Sequence, residues 1–191
     1  MLKSLRATLC AGAMLAAAAA SAQTLEIGVD QSPAGLDPHI ITAFSSFMVV
    51  NGTIYEGLTA IDTDLNTVPG LAQSWTISPD GKTYTFKIRT GVKFHDGSAM
   101  DANDAASSLR RILAKEIGSP LASRLASVET ITAIDPQTLE LKLKEPSAPL
   151  LSSLATLAIV PSEVEANKDA LQKAPVGTGP FKFQEWQPNG F

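Results

Sequence analysis

The 191-residue sequence contains a single cysteine, Cys10, and only two histidines, His39 and His95. With one thiol the chain can form no internal disulfide, and a thiolate metal centre, which needs several cysteines at short spacing, is excluded. Cations are also outnumbered: 15 Lys and Arg stand against 19 Asp and Glu, for a formal net charge of -4. No basic block interrupts that balance, so nucleic acid is a poor candidate partner. Long apolar runs are missing as well. The longest, Ala7 to Ala20, is about 14 residues where a bilayer span needs about 20.

That one run is the middle of a three-part leader. Lys3 and Arg6 precede it and the small triplet Ala20-Ser21-Ala22 follows, which predicts export and cleavage after Ala22. Cys10 does not fit a lipid-modified cysteine: too little apolar sequence precedes it, and Leu9 stands where a small residue is required. Removing the leader takes away Lys3 and Arg6 and no acid, so the charge falls from -4 to -6. The remaining chain is cysteine-free, and in an oxidising compartment its packing alone must hold the fold.

Leu25, Ile27 and Val29 alternate with polar neighbours and predict a strand, which Pro33, Gly35 and Pro38 break into a loop. Phe44, Phe47, Met48, Ile54 and Leu58 predict a helix that buries one face and stops near Gly57. Trp75 to Arg89 reads as a hairpin around Ser78-Pro79-Asp80-Gly81, in which Pro79 presets the second turn position and Gly81 suits the fourth. A second hairpin runs from Ile131 and Ile134 through Asp135-Pro136-Gln137-Thr138 to Leu139, Leu141 and Leu143. Between the hairpins Asp101 caps a helix with apolar positions Ala105, Leu109, Ile112 and Leu113. Ser162 and Glu165 form a capping-box signal for a helix toward Lys173, and Phe181, Phe183 and Glu185 begin a further strand. Strands and helices mix without strict alternation, which argues for a mixed α/β chain and against a plain parallel nucleotide-binding sheet.

Chemistry-bearing residues are sparse. His39 lies near Asp37 and His95 beside Asp96, but no H-E-x-x-H pair or nucleophile elbow accompanies either. A metal-dependent hydrolase using His39 and Asp37 is the enzyme alternative, and it lacks the three ligands a catalytic zinc requires. His95-Asp96-Gly97 reads as a turn. Gly177-Thr178-Gly179 is no phosphate loop, since no lysine follows and Pro180 blocks the helix that would start there. Trp75 and Trp186 read as core residues rather than a ligand wall, and Lys142 with Lys144 as a solvated strand face. No catalytic residues, metal ligands or cofactor signature emerge.

A series of short patterns does emerge: Leu36-Asp37-Pro38, Tyr55-Glu56-Gly57-Leu58, Pro69-Gly70-Leu71-Ala72 with Ser74-Trp75, and Tyr84-Thr85-Phe86-Lys87-Ile88-Arg89. Gly91-Val92-Lys93-Phe94-His95-Asp96-Gly97, then Asp101, Asp104 and Arg110-Arg111, and finally Pro175-Val176-Gly177-Thr178-Gly179-Pro180-Phe181 continue it. In this order they resemble the family-5 solute-binding proteins of ABC importers, whose members bind dipeptides, oligopeptides, nickel complexes and related solutes.

The resemblance implies an α/β periplasmic binding protein-like fold with two lobes and an extra domain, of which this chain is an N-terminal part. Residues 1–22 are then the signal peptide, 23–55 and 175–191 an incomplete first lobe, and 56–174 the small extra domain. It implies a monomeric periplasmic protein, not an enzyme, that captures a small molecule or peptide without a cofactor and delivers it to permease subunits in the inner membrane. Ligands of two-lobed binders lie beyond strand ends, and in this family the loop Asp30 to Gly35 helps line the cleft. Gln31, Ser32, Pro33 and Ala34 are the candidate ligand-binding residues, with backbone groups pairing to a peptide main chain. A role as chemoreceptor partner or extracytoplasmic chaperone is the alternative within the binding class.

Overall fold

The computed structural model describes residues 26–28, 31–165 and 169–187. The leader lies outside the described residues, as do both ends of the strand expected from Leu25 to Val29. Glu26, Ile27 and Gly28 are in no strand, and Ile27 is exposed. In chain order the described elements are α1 (Phe44–Val50), β1 (Thr59–Ile61), β2 (Thr67–Pro69), β3 (Ala72–Ile77), β4 (Thr83–Ile88), α2 (Ala102–Leu113), β5 (Val128–Asp135), β6 (Thr138–Leu143), α3 (Leu150–Leu154) and α4 (Ala170–Lys173). Short 3-10 turns occupy Pro120–Leu125 and Ser162–Val164.

Both expected hairpins form, and together they make one antiparallel sheet in the order β3-β4-β6-β5. Trp75 pairs with Phe86 and Ile77 with Tyr84 in the first, and Ile131 with Leu141 in the second. Gly81 donates its N–H to the Ser78 carbonyl at 2.8 Å, closing the turn that Pro79 initiates. Period-two patterning then sorts the faces. Tyr84, Phe86 and Ile88 with Leu139, Leu141 and Leu143 are buried, whereas Lys87, Lys142 and Lys144 are exposed. Trp75 lies half-buried against Phe86, ring centroids 6.4 Å apart, as a core residue rather than a free aromatic wall.

The sheet's buried face is covered by α2. Its N-terminus is closed by a reciprocal capping box: the Asp101 carboxylate accepts from the N–H groups of Asn103 and Asp104, and Asp104 Oδ2 accepts from Asp101 N at 2.9 Å. Ala105, Leu109 and Ile112 join the core with the sheet residues, as the spacing requires, but Leu113 at the last turn is partly exposed. The helix also buries a second, polar stripe of Asp104, Ser107, Ser108 and Arg111. It therefore stands between two bodies. Its apolar side belongs to the sheet core, and its polar side meets the loop from Leu36 to Ile41 and the segment from Val160 to Glu165.

That second side holds a smaller apolar cluster of Leu36, Val50, Ile54, Tyr55, Ala158, Val160 and Leu171, with Phe183 and Trp186 packed against it. The segment Leu157 to Val160 serves both clusters by strict alternation, Leu157 and Ile159 to the larger, Ala158 and Val160 to the smaller.

Three sequence expectations are corrected around this cluster. Helix α1 ends at Val50, well before Gly57, and it buries Ser45 and Ser46 while Phe44 and Met48 are exposed. Tertiary hydrogen bonds to the serine hydroxyls turn the helix against its own hydrophobicity. Ser162 and Glu165 do not cap a continuous helix to Lys173. Ser162 N donates instead to Asp104 Oδ1 at 2.9 Å, and the Glu165 carboxylate accepts from Ser107 Oγ at 2.8 Å, so both capping groups are spent on α2. Finally, Phe181 to Glu185 form no strand, because the described residues offer no ladder; Phe181 N reaches only the Thr53 carbonyl, at 3.0 Å.

Candidate functional site

Gln31, Ser32 and Ala34 are exposed and Pro33 is half-buried, on a loop that carries no regular structure. The loop is held from below by α1. Ala34 N donates to Ser46 Oγ at 2.7 Å and Ser45 Oγ to the Ser32 carbonyl at 3.5 Å. These contacts explain why α1 spends its buried positions on serines. Pro33 has no N–H to satisfy. Its neighbours Gln31 and Ser32 are exposed.

Beyond Ala34 the chain dives inward and is clamped. Gln172 Oε1 on α4 accepts from Leu36 N at 2.6 Å and Asp37 N at 3.0 Å. The Asp37 carboxylate, fully buried, accepts Arg111 Nη1 at 3.2 Å and Nη2 at 2.7 Å in the two-pronged geometry that Arg and carboxylate favour. Arg111 Nε donates to the Val164 carbonyl at 3.2 Å. His39 completes the cluster: its Nδ1 lies 2.9 Å from Arg111 Nη1, its Nε2 2.8 Å from the Ala158 carbonyl, and its backbone N–H donates to Asp37 Oδ1 at 2.9 Å. Ser119 Oγ donates to the His39 carbonyl. Burial lowers the His39 pKa from its usual 6.5 to about 4; the Ala158 bond and Asp37 oppose this, and Arg111 adds to it. Tyr55 sits beside the pair, its phenol raised above its ordinary range first by burial and then by Asp37, and its hydroxyl has no hydrogen-bond partner among the described residues.

This cluster gives His39 and Asp37 a structural role: both ring nitrogens of His39 are engaged, and both Asp37 oxygens face a guanidinium. Among the described residues no group of three or more His, Cys, Asp and Glu side chains is placed to hold a metal ion. No described helix is long and apolar enough to cross a membrane.

The second histidine is structural too. His95 Nε2 lies 2.8 Å from the Gly179 carbonyl, His95 N donates to the Gly177 carbonyl at 2.9 Å, and Lys182 Nζ donates to the His95 carbonyl at 2.9 Å. The turn His95-Asp96-Gly97 is thus the seat on which Gly177-Thr178-Gly179 lies. Hydrogen bonds from the hydroxyl and N–H of Ser98 hold the Asp96 carboxyl below the usual range and shape that turn. From there Gly179 N donates to the Ile54 carbonyl at 2.9 Å, which ties the returning chain to the segment after α1.

The structure brings Asp37 and His39 together with Arg111, which sequence reasoning had placed only at the end of a motif. A signal was present: Asp104, Ser108 and Arg111 fall at i, i+4 and i+7, a polar stripe beside the apolar one. A groove of about 270 Å³ opens between α1 and the turn at Leu121, lined by Pro38, Ile41, Phe44, Phe47 and Arg124 among others. None of Gln31, Ser32, Pro33 and Ala34 lines it.

Comparison with known proteins gives the frame for this arrangement. Residues 66–190 match the family described as bacterial extracellular solute-binding proteins, family 5, middle. A putative ABC transporter peptide-binding protein of Brucella ovis is 36% identical over 95% of this chain and 36% of its own length. The nickel-binding periplasmic protein of Escherichia coli is 35% identical over 100% of this chain and 38% of its own. Among solved structures, the periplasmic binding protein DppA of Helicobacter pylori, in complex with the peptide STSA, superposes with a TM-score of 0.74 and 33% identity, over 82% of this chain and 36% of that one. The mixed α/β architecture is that of the periplasmic binding proteins, and the chain spans little more than a third of each of these three relatives. The chain belongs to family 5 of the bacterial extracellular solute-binding proteins.

Proposed function

We propose that the protein carrying this chain captures a peptide or a comparably small solute in the periplasm and delivers it to the permease subunits of an ABC importer. The observation that carries this reading is the family match across the sheet and α2, in relatives that bind peptide and nickel. The exposed loop Gln31 to Ala34, set on a rigid ionic base, is a surface suited to main-chain pairing with a peptide, and its lack of charged side chains gives affinity with little selectivity. Closure about a hinge between lobes would present the loaded form to the permease. The protein acts as a monomer and performs no covalent chemistry.

On this reading residues 1–22 are a leader cut after Ala22, residues 23–55 with 175–191 belong to the first lobe, and 56–174 form the extra domain. The larger apolar cluster, drawn almost wholly from residues 56–174, supports such a division, although Ala158, Val160 and Leu171 of that span pack in the smaller one with Leu36, Val50, Ile54 and Tyr55. Mass spectrometry of the exported protein checks the leader: an N-terminus at Gln23 is expected, and a retained Met1 would refute cleavage.

Titration calorimetry on the full-length protein, with di-, tri- and oligopeptides and nickel with L-histidine as probes, tests the function. Binding of one class at micromolar or tighter affinity is expected, and substitution of Ser32 by proline should weaken it about tenfold by removing a backbone donor. No heat with any probe would sink the transport reading. Recovery of a receptor without permease subunits in a pull-down would favour the chemoreceptor alternative.

A further inference from the structure

The partners of His39 leave its ring one protonation state. A carbonyl only accepts, so Nε2, 2.8 Å from the Ala158 oxygen, carries the hydrogen; a guanidinium only donates, so Nδ1, 2.9 Å from Arg111 Nη1, presents its lone pair. The ring is the neutral Nε2–H tautomer. A second proton has a single destination, Nδ1, and there it would point at a cationic N–H already in hydrogen-bond contact.

We propose that His39 is an acid-operated latch: its protonation at Nδ1 expels Arg111 from the buried pairing and releases the loop that runs from Gln31 to Ile41 from α2. The geometry makes the coupling mechanical. Arg111 Nη1 bonds both His39 Nδ1 and Asp37 Oδ1, so it cannot leave the ring without disturbing the carboxylate. Asp37 is in turn the residue whose N–H, with that of Leu36, is held by Gln172. The loop's inner half is therefore moored through this one cluster, in which the histidine sits, while its outer half rests on the α1 serines.

The charged groups that act on the ring are Asp37 from its own loop and Arg111 from α2; Tyr55, from the segment after α1, faces that ion pair. The Leu157–Val160 segment contributes the Ala158 carbonyl alone. Asp37 favours a proton on the ring, but burial outweighs it and the ring's pKa is lowered to about 4. When the latch opens, the ring returns to water and its ordinary 6.5, so the open form binds more protons than the closed one. Acid consequently favours opening. The closed form is at full strength above about pH 6.5, weakens as the pH falls toward 4, and gains no further bias below that.

Amide exchange in the full-length protein tests this at Leu36 and Asp37, with His39→Gln as reference. The glutamine amide can accept from Arg111 and donate to Ala158, and it does not titrate. At pH 7 the two proteins should exchange alike at these amides; at pH 5 the native protein should exchange about 30-fold faster than the variant, the factor that 1.5 pH units below 6.5 supplies. Equal acceleration in both proteins would overturn the latch. Should the variant fail to fold, nitrogen NMR of the native ring decides: the Nε2–H tautomer at pH 7 is expected, with loss of Leu36 protection tracking the ring's titration. A ring protonated at Nδ1 at pH 7, or protection unchanged through the titration, would overturn it equally.

Discussion

A Cβ added at Gly177 would stand 2.1 Å from the Ile54 carbonyl oxygen, and one at Gly179 2.2 Å from that of Thr53. Both obstacles are backbone, which cannot swing aside as a side chain can. The pair Gly-Thr-Gly therefore exists so that the returning chain can lie directly on the segment after α1. Gly91 is a useful contrast, with φ +75° but nothing within 4 Å of its would-be Cβ. Gly91→Ala should cost about 1 kcal/mol through backbone strain alone, whereas Gly179→Ala should cost about 3 kcal/mol or more through displaced packing. Urea unfolding midpoints compare them; equal losses would mean the close approach carries no weight. Arg111 is the other residue whose environment dictates its effect. Arg111→Met leaves the buried Asp37 carboxylate without its cation and His39 Nδ1 without its donor, and should cost about 3–5 kcal/mol. Adding Asp37→Leu should return a good part of that loss, since removing both partners leaves no stranded charge. A double variant as unstable as the single would show that Asp37 is not what Arg111 serves.

At the scale of elements, α2 carries two faces with two kinds of chemistry, and only one was legible in the sequence. Apolar periodicity announced Ala105, Leu109 and Ile112, because burial against a sheet selects residues at helical spacing. The hairpins were legible for a similar reason: alternation plus a turn built on Pro79 or Pro136 leaves little else for the backbone to do. The polar stripe Asp104, Ser108, Arg111 has helical spacing too, but each of those residue types is ordinarily on a solvated face, so the spacing alone does not announce burial and only a tertiary partner reveals it. Ser108 Oγ donates to the Val160 carbonyl at 3.1 Å and accepts Val160 N at 2.9 Å, and Asp104 Oδ1 accepts Ser162 N. The same partners defeated the capping signal at Ser162 and Glu165. This makes a prediction that separates Asp101 from Asp104. Asp101→Ala removes a cap alone and should cost about 1 kcal/mol. Asp104→Ala removes the reciprocal cap and takes the partner from the half-buried Ser162 N–H as well, and should cost about twice that or more. Denaturant titration of the two variants settles the order, and a costlier Asp101→Ala would mean that the contact to Ser162 is idle.

Across the whole molecule the two apolar clusters differ in how they are closed. The larger has a four-stranded ladder on one side and α2 on the other, so its backbone groups are paired within the sheet and its side chains are enclosed. The smaller is bounded by loops, by two short helices and by the strand-like Leu157–Val160, and its α1 turns Phe44 and Met48 outward. The sequence could not convey this asymmetry, because Phe44 and Met48 fit an ordinary buried helical face and nothing local marks Ser45 and Ser46 as the residues that the loop claims. Local opening follows the density of enclosed apolar contact and of protected backbone hydrogen bonds. The ladder amides of Tyr84, Phe86, Leu139 and Leu141 should therefore exchange only with global unfolding, while those of Phe47, Ile54 and Gly179 open earlier by a partial route. Above pH 6.5, where the His39 cluster is at full strength, the gap between the two sets is set by packing alone; as the pH falls toward 4 the smaller cluster should loosen first and the gap should widen. Hydrogen exchange followed by mass spectrometry at pH 7 and pH 5, corrected for intrinsic rates, measures both. A single common opening free energy for the two sets at both pH values would mean that the clusters unfold as one unit, and that α2 welds the bodies it stands between.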